Sequence, residues 1–476
     1  MNSENTREDK WIAIKIFLTV FLISGFFFKP DLTFGRFEFL TKALTHYGTT
    51  WIDKVEQESG IKILDSLAFN GHTFIEPTPG LSFIALASYL PYAVFLQSRF
   101  IRLFSLGPPL ELRLSQFIMA ISTVTLFTAL LIAIFFLSLR KIGCTQKKAI
   151  IFSFLLYFGT PFIFYSLNVA NGQNILEAAL LYSAFFIICI SKMQNISLIF
   201  LSGLLSGLAI FVNAIALFFL PLFPAIIILA KRWRNLFFWI IGAILGAAPF
   251  LIYNQISFGN LLRISYGAKY GNFISSHLGG YLGIVRILLV SPTIGLIFFF
   301  PFAIMLILKF KNLWANSTNK FIIFAVIIYT GCLCIIARFI IVVCGYGSAW
   351  YLNQGGGGPR YLLPIIPFLL YAIASIRFEL KWERILAAWL IFISVIINTS
   401  GLFWTGGRPI FYNNLLVFFK NGFHSYMIDL IRDMLISGGF NTNNLSVFPL
   451  LTILGIFLWW IWIGSRWIRD VLSNIS

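Results

Sequence analysis

The side chains able to do chemistry are crowded into one stretch, residues 31–80. It holds seven of the seventeen acidic residues (Asp31, Glu38, Asp53, Glu56, Glu58, Asp65 and Glu76) and two of the four histidines, His46 and His72. Carboxylates in such company can act as general bases or hold a divalent cation. Asp31 follows directly on a long apolar run, which sets its carboxylate at a lipid–water boundary. Arg36, five residues on, can hold a phosphate or pair with a carboxylate. Asp65 opens the run Asp-Ser-Leu-Ala-Phe-Asn-Gly-His-Thr-Phe, which leads through Glu76 into Pro-Thr-Pro-Gly. A solvated surface loop would also carry acids, and residue types alone favour that plainer use.

Three further polar segments offer ligand-binding groups. Residues 168–173 are rich in amides, Asn171 and Gln173 among them, and could hydrogen-bond a sugar. Residues 253–260 begin with Tyr253 and Asn254. Residues 350–361 carry four glycines, Gly355 to Gly358, ahead of Arg360 and Tyr361. Glycines let backbone N–H groups approach an anion, and an arginine at the start of the next helix adds charge. The Gly-Lys-Ser/Thr ending of a nucleotide-binding loop is missing.

The elements that must position these groups are apolar. The chain has 476 residues, 59% of them hydrophobic and only 11% charged, with mean hydropathy +0.88. Soluble domains carry about 25% charge, and runs long enough to cross about 30 Å of hydrocarbon as helix recur throughout. The fold class is therefore all-α, a polytopic transmembrane bundle in a single domain over residues 1–476. The net charge of +18 lies in small clusters between apolar runs, a positive-inside pattern and not a nucleic-acid surface. Arg7 and Lys10 precede the first run, residues 11–28, which reads as a retained anchor without a small-residue cleavage site. Alternating the basic clusters gives about twelve spans with both termini cytoplasmic. The polar segments 29–80, 254–291, 345–360 and 404–446 then lie outside, in a multi-pass protein of the cell (inner) membrane. Residues 34–44 have helical spacing and read as an amphipathic helix on the membrane surface of the first outer loop. Residues 81–113 read as re-entrant or in-plane, because basic clusters flank both sides of 114–139. Four of the five cysteines fall in apolar runs and one, Cys144, in a basic loop, with no disulfide framework. Glu177 and Arg338 are the conspicuous charges away from helix ends. A transporter coupled to ions would carry more.

The order of these features resembles a known group. After the anchor come Asp31-x4-Arg36, then Ala43-Leu44, Ile52-Asp53, and Asp65-x2-Ala68-x2-Gly71-His72-x-Phe74 running into Pro79-Gly80. Later come Pro249-x3-Tyr253-Asn254-x3-Phe258-Gly259-Asn260 and Gly358-Pro359-Arg360-Tyr361-Leu362-x-Pro364. This is similar to bacterial members of the GT-C membrane glycosyltransferases, the group of protein O-mannosyltransferases and lipid A aminoarabinose transferase. The resemblance covers most of the chain through the order of its motifs. It implies transfer of a sugar from a polyprenyl-phosphate donor to a glycan, lipid or protein acceptor at the extracytoplasmic face. A carboxylate, Asp31 or Asp65, would be the catalytic base. Arg360 and Arg36 would hold the donor phosphate. His72, Glu76, Asn171, Gln173, Tyr253, Asn254 and Tyr361 would line the substrate site, with a divalent cation (Mg2+ or Mn2+) as an optional helper. The chain departs from the group at Glu76, where relatives usually carry lysine. A lipid-linked glycan flippase or other transporter is the competing class, and a noncatalytic scaffold on the same fold is a third.

Overall fold

A computed structural model describes residues 3–30, 36–63, 66–75, 78–96, 108–167, 172–191, 194–262, 289–290, 295–315, 319–331, 360–400, 426–439 and 447–464. In chain order the elements used below are α1 (Ser3–Phe26), α2 (Arg36–Lys42), α3 (Asp53–Ser59), β1 (Ser66–Phe69) and β2 (His72–Ile75). They continue with α4 (Gly80–Pro91), α5 (Pro108–Ala120), α6 (Leu126–Lys141) and α7 (Gln146–Phe158). The series ends with α8 (Gln173–Ser191), α9 (Ile196–Val212), α10 (Trp233–Phe258), α11 (Asn319–Gly331), α12 (Lys381–Thr399) and α13 (Tyr426–Ser437).

Polar residues set where several helices begin. The Thr145 hydroxyl accepts from Lys148 N ahead of α7, and Asn195 Oδ1 accepts from Ser197 N and Leu198 N ahead of α9. Each satisfies backbone donors that the first turn leaves without a partner. Among the described residues four helical stretches are long and apolar enough to cross a membrane: Leu110–Lys141, α8, α10 and α12. Other apolar helices are shorter, and proline breaks two of these runs. Pro221 separates the turn Ala214–Phe218 from the helix Leu222–Leu229, and Pro364 and Pro367 convert the expected span 361–376 into a 3-10 turn followed by Ile366–Ala374. Proline removes an N–H and clashes with the preceding turn, and such breaks are tolerated at membrane depth where protein surrounds them.

The core runs through α6, α8 and the segment 361–376, all heavily buried, and takes in one face of α1. Tyr182, Phe185, Phe219 and Phe368 stack there with centroids 4.6–5.8 Å apart. By contrast α10 leaves Phe237, Ile244, Ile252 and Ile256 exposed, and α12 leaves Trp389 and Phe392 exposed. Apolar stripes of this kind suit hydrocarbon, not water. The tightest packing is between α9 and α10. Gly203 and Gly207 face Gly242 and Gly246, and a Cβ added at any of the four would fall 2.1–2.3 Å from a backbone carbonyl oxygen of the other helix. Small residues four apart on both helices allow this backbone contact.

Segment ends that the charge pattern assigns to one face touch one another. On the side assigned as inner, Arg140 Nε lies 2.8 Å from Asp9 Oδ1 and Lys148 Nζ donates to the Ile376 carbonyl at 2.9 Å. Asn319 Nδ2 donates to Ser375 Oγ at 2.9 Å, and Lys309 pairs with Glu383. On the opposite side Ser24 Oγ meets Tyr157 Oη at 2.7 Å, and Lys29 N donates to the Leu167 carbonyl at 2.7 Å.

The acid-rich loop differs from its sequence reading. α2 does not present a single apolar face to a membrane surface: Phe37, Glu38, Phe39, Leu40 and Thr41 are all buried. α4 and α5 pack against it, with Ser82 Oγ donating to the Phe37 carbonyl at 2.9 Å. Residues 66–75, expected only as loop, form an antiparallel hairpin pairing Ser66 with Ile75 and Phe69 with His72. Its turn is Asn70-Gly71 with φ of 49° and 81°, the left-handed pair that a two-residue hairpin turn requires.

Candidate functional site

Both ends of the acid-rich loop are bonded to the helical bundle. At its start, Lys29 is bonded through its backbone to Leu167, a few residues before α8 begins. At its end, Thr78 Oγ1 donates to the Val212 carbonyl at 2.5 Å. Gly80 packs against the same turn, where a Cβ would lie 2.5 Å from Phe211 O. Val212 closes α9, and the next residue, Asn213, turns its amide back onto α8. Its Nδ2 donates to Asn174 Oδ1 at 3.1 Å and to Glu177 Oε2 at 2.6 Å.

From Glu177 the network reaches the segment that carries Arg360. The Tyr329 hydroxyl lies 3.2 Å from Glu177 Oε1 and 3.0 Å from the Tyr361 carbonyl oxygen. Arg360 Nη2 donates to Tyr361 Oη at 2.7 Å, and its guanidinium carbon sits 4.7 Å from the centre of that ring. The cation thus sits over an aromatic ring, a contact worth about 0.5–1 kcal/mol or more. Asn174, Glu177, Asn213 and Tyr329 are wholly buried. Glu177 lies just past the first turn of α8, nearer a helix end than its place in the apolar run suggests.

The other sequence candidates fall as follows. Gln173 opens α8 and is buried. Tyr253 is buried among aromatic rings, 6.2 Å from both Phe83 and Phe258, and Phe258 in turn contacts Phe69 and Phe74 of the hairpin. Asn254 Nδ2 donates to the Leu261 carbonyl at 3.1 Å, closing the end of α10. Tyr253 thus packs α10 against α4, and Phe258 packs it against the hairpin. The His72 ring stacks on Trp51 at 4.5 Å and its Nδ1 meets Asp53 Oδ2 at 2.9 Å, while Asp53 Oδ1 accepts from Thr73 N at 2.8 Å. Partial burial opposes the Asp53 charge, but the hydrogen bonds from His72 and Thr73 outweigh it and hold its carboxyl below the usual range. Asp31, Asp65, Glu76, Asn171 and Arg338, with the glycines before Arg360, lie outside the described residues, as does the Arg36 side chain. Among the described residues no three His, Cys, Asp or Glu side chains gather as metal ligands.

A second polar group was not singled out from the sequence. Lys42 Nζ lies 3.4 Å from Glu38 Oε1 and 3.2 Å from Glu111 Oε1, joining α2 to the first turn of α5. His46 Nε2 meets the Tyr89 hydroxyl at 3.2 Å, and Tyr92, Ser115 and Gln116 are buried alongside. Two carboxylates on one ammonium leave an excess negative charge. Burial, opposed by Lys42, pushes the Glu38 carboxyl up to about 8. His46 is lowered by burial and by the charge of Lys42. The available signal was an acid enclosed by Phe37, Phe39 and Leu40, with a lysine one turn later.

No family model matches the chain, and no curated protein matches it. Among solved structures the chain is similar to the crystal structure of ArnT from Cupriavidus metallidurans bound to undecaprenyl phosphate. The TM-score is 0.45 at 13% identity, over 90% of this chain and 76% of that one.

Proposed function

We propose that this protein is a membrane glycosyltransferase that takes its sugar from a polyprenyl-phosphate donor at the extracytoplasmic face. The observation that carries the reading is the anchoring of the end of the acid-rich loop at Val212, next to Asn213, whose network runs through Glu177 and Tyr329 to the Tyr361 carbonyl beside Arg360. Acidic groups and a fixed guanidinium are the two components that transfer from a phosphate leaving group needs. The motif order shared with the GT-C group supports the same reading.

The chemistry follows from those components. A carboxylate of the first loop, Asp31 or Asp65, takes the proton of an acceptor hydroxyl. The hydroxyl oxygen attacks the anomeric carbon as the bond from that carbon to the phosphate oxygen breaks. The electron pair leaves with the polyprenyl phosphate, whose charge Arg360 and Arg36 stabilise. A single displacement of this kind inverts the anomeric centre. Asn171, Gln173 and Glu76 would hydrogen-bond the sugar, and Tyr361 would share the phosphate end. His72 supports the hairpin through Trp51 and Asp53, Tyr253 packs between α4 and Phe258, and Asn254 closes the end of α10.

The test uses the full chain in lipid nanodiscs with radiolabelled undecaprenyl-phosphate sugars. Release of undecaprenyl phosphate and transfer of label are followed for wild type, Asp31→Asn, Asp65→Asn and Arg360→Ala. Turnover by wild type, abolished by one Asp variant and by Arg360→Ala, is expected. Turnover untouched by all three substitutions would sink the assignment.

A further inference from the structure

The basic residues at one end of the bundle gather more closely than their places in the chain require. Residues 140–148, 309–320 and 377–384 are separate stretches of the chain and hold ten Lys and Arg against two Glu. Bonds to one another and to the end of the segment 361–376 bring them together. Lys148 Nζ donates to the Ile376 carbonyl at 2.9 Å, Cys144 Sγ to the Ala374 carbonyl at 3.4 Å, and Asn319 Nδ2 to Ser375 Oγ at 2.9 Å. Lys309 pairs with Glu383 in the first turn of α12. That pair uses one of the two acids, and Arg140 is taken by Asp9. Lys141, Lys147, Lys311, Arg377, Lys381 and Arg384 are exposed, and among the described residues none of them meets a carboxylate.

Positive charge in loops is enough to orient a chain in a membrane, and orientation does not require the loops to converge. Gathering like charges costs free energy, which a bound anion offsets. Aromatic rings set the depth at which that anion lies. Within the patch Trp314 and Trp382 are 43% and 52% exposed, and Lys320 Nζ lies 5.9 Å from the centre of the Trp314 ring. Exposed tryptophan belongs at the level of lipid head groups. One turn beyond Lys381 an exposed apolar stripe begins on α12, formed by Ile385, Trp389 and Phe392. Cations at the head-group level that lead into an apolar stripe match an amphiphile with a negative head.

We propose that this patch binds an anionic phospholipid, its head group held by Arg377 and Lys381 and its acyl chains lying along the α12 stripe. Juxtamembrane basic clusters attract anionic lipids through this charge complementarity. The site is separate from the one that holds Arg360 and does not depend on the transferase reading.

Native mass spectrometry of the full chain in detergent measures binding of phosphatidylglycerol and of phosphatidylcholine with the same acyl chains. Wild type is expected to bind phosphatidylglycerol at least tenfold more tightly. Arg377→Gln/Lys381→Gln is expected to lose roughly tenfold in that affinity, equivalent to about 1.4 kcal/mol. The matched control is Arg232→Gln/Arg234→Gln. These arginines flank Trp233, 62% exposed, at the start of α10, and make no side-chain hydrogen bond or ion pair among the described residues. The control removes the same charge beside the same ring type and should bind within about twofold of wild type. All four substituted side chains are exposed, so neither variant removes packing. Equal affinity for the two lipids would overturn the proposal, as would a patch variant that binds like wild type or a control that loses as much. Glycerol phosphate, the soluble head group, is then added in excess. Retention of the lipid supports the proposal, and its displacement would assign the patch to a free anion and refute the lipid site.

Discussion

Glu38 gives the sharpest handle on the electrostatics of the acid-rich loop. Its carboxyl is fully buried on α2, faced by Lys42 from the same helix and by Glu111, Ser115 and Gln116 from α5. His46 follows on the turn after α2, and Tyr89 and Tyr92 face the group from α4 and its extension. Released from the fold, the side chain returns to water and an ordinary carboxyl value of 4.5, against about 8 when folded. The folded state therefore binds the proton more tightly. Its contribution to stability is complete below about 4.5 and is lost as pH rises through about 8. At about 1.36 kcal/mol per pH unit, this difference amounts to roughly 4–5 kcal/mol across the window. Glu38→Gln keeps the shape and hydrogen bonding of the neutral acid at every pH and removes the dependence. Unfolding of wild type and Glu38→Gln in detergent is compared from pH 5 to pH 9. Near pH 5 the two should agree within about 1 kcal/mol, and by pH 9 the variant should be the more stable by several. Parallel pH profiles would refute the argument, because they would mean that Glu38 is already ionised in the fold.

Gly207→Ala should destabilise by about 1–3 kcal/mol, because the added carbon meets the Ala243 carbonyl at 2.1 Å and forces α9 and α10 apart. Gly455→Ala, where nothing lies within 4 Å, should not; thermal unfolding of both variants in detergent checks the contrast. Arg140→Ala leaves the Asp9 carboxylate, 4% exposed, without its ion pair and should cost about 3 kcal/mol. Adding Asp9→Asn should restore part of that loss, which a double-mutant cycle of unfolding measures. Asp53→Asn should loosen the hairpin against α3 and speed proteolysis of the acid-rich loop. The hairpin of the wild type should loosen in the same assay as pH falls through the lowered Asp53 value, since that stability is present above the ordinary 3.8 and lost in acid.

Much of the architecture was legible because hydrocarbon imposes a length and a composition on whatever crosses it. The apolar runs, the basic clusters between them and the isolation of residues 31–80 all follow from the chain alone. The hairpin was written there too, in Phe69-Asn-Gly-His72, and so were the paired glycines of α9 and α10; both are local signals whose partner lies elsewhere in the chain. What hydropathy does not carry is where an apolar run breaks, and the breaks at Pro221 and Pro364 shorten helices that composition alone extends. Nor does a helical period say what covers each face. α2 has the spacing of a surface helix and becomes a core helix because α4 and α5 fold over its polar side.

The site divides in the same way. Arg360 and Tyr361 announce themselves by type and by the glycines before them. The partners that fix them, Glu177, Asn213 and Tyr329, come from segments separated by 36 and 152 residues from Glu177, and each alone reads as a single polar residue in an apolar run. Only the folded chain brings them within 3.2 Å. In a low dielectric a buried polar atom must find a partner, and which partner it finds depends on helix packing, which no single stretch of the sequence contains.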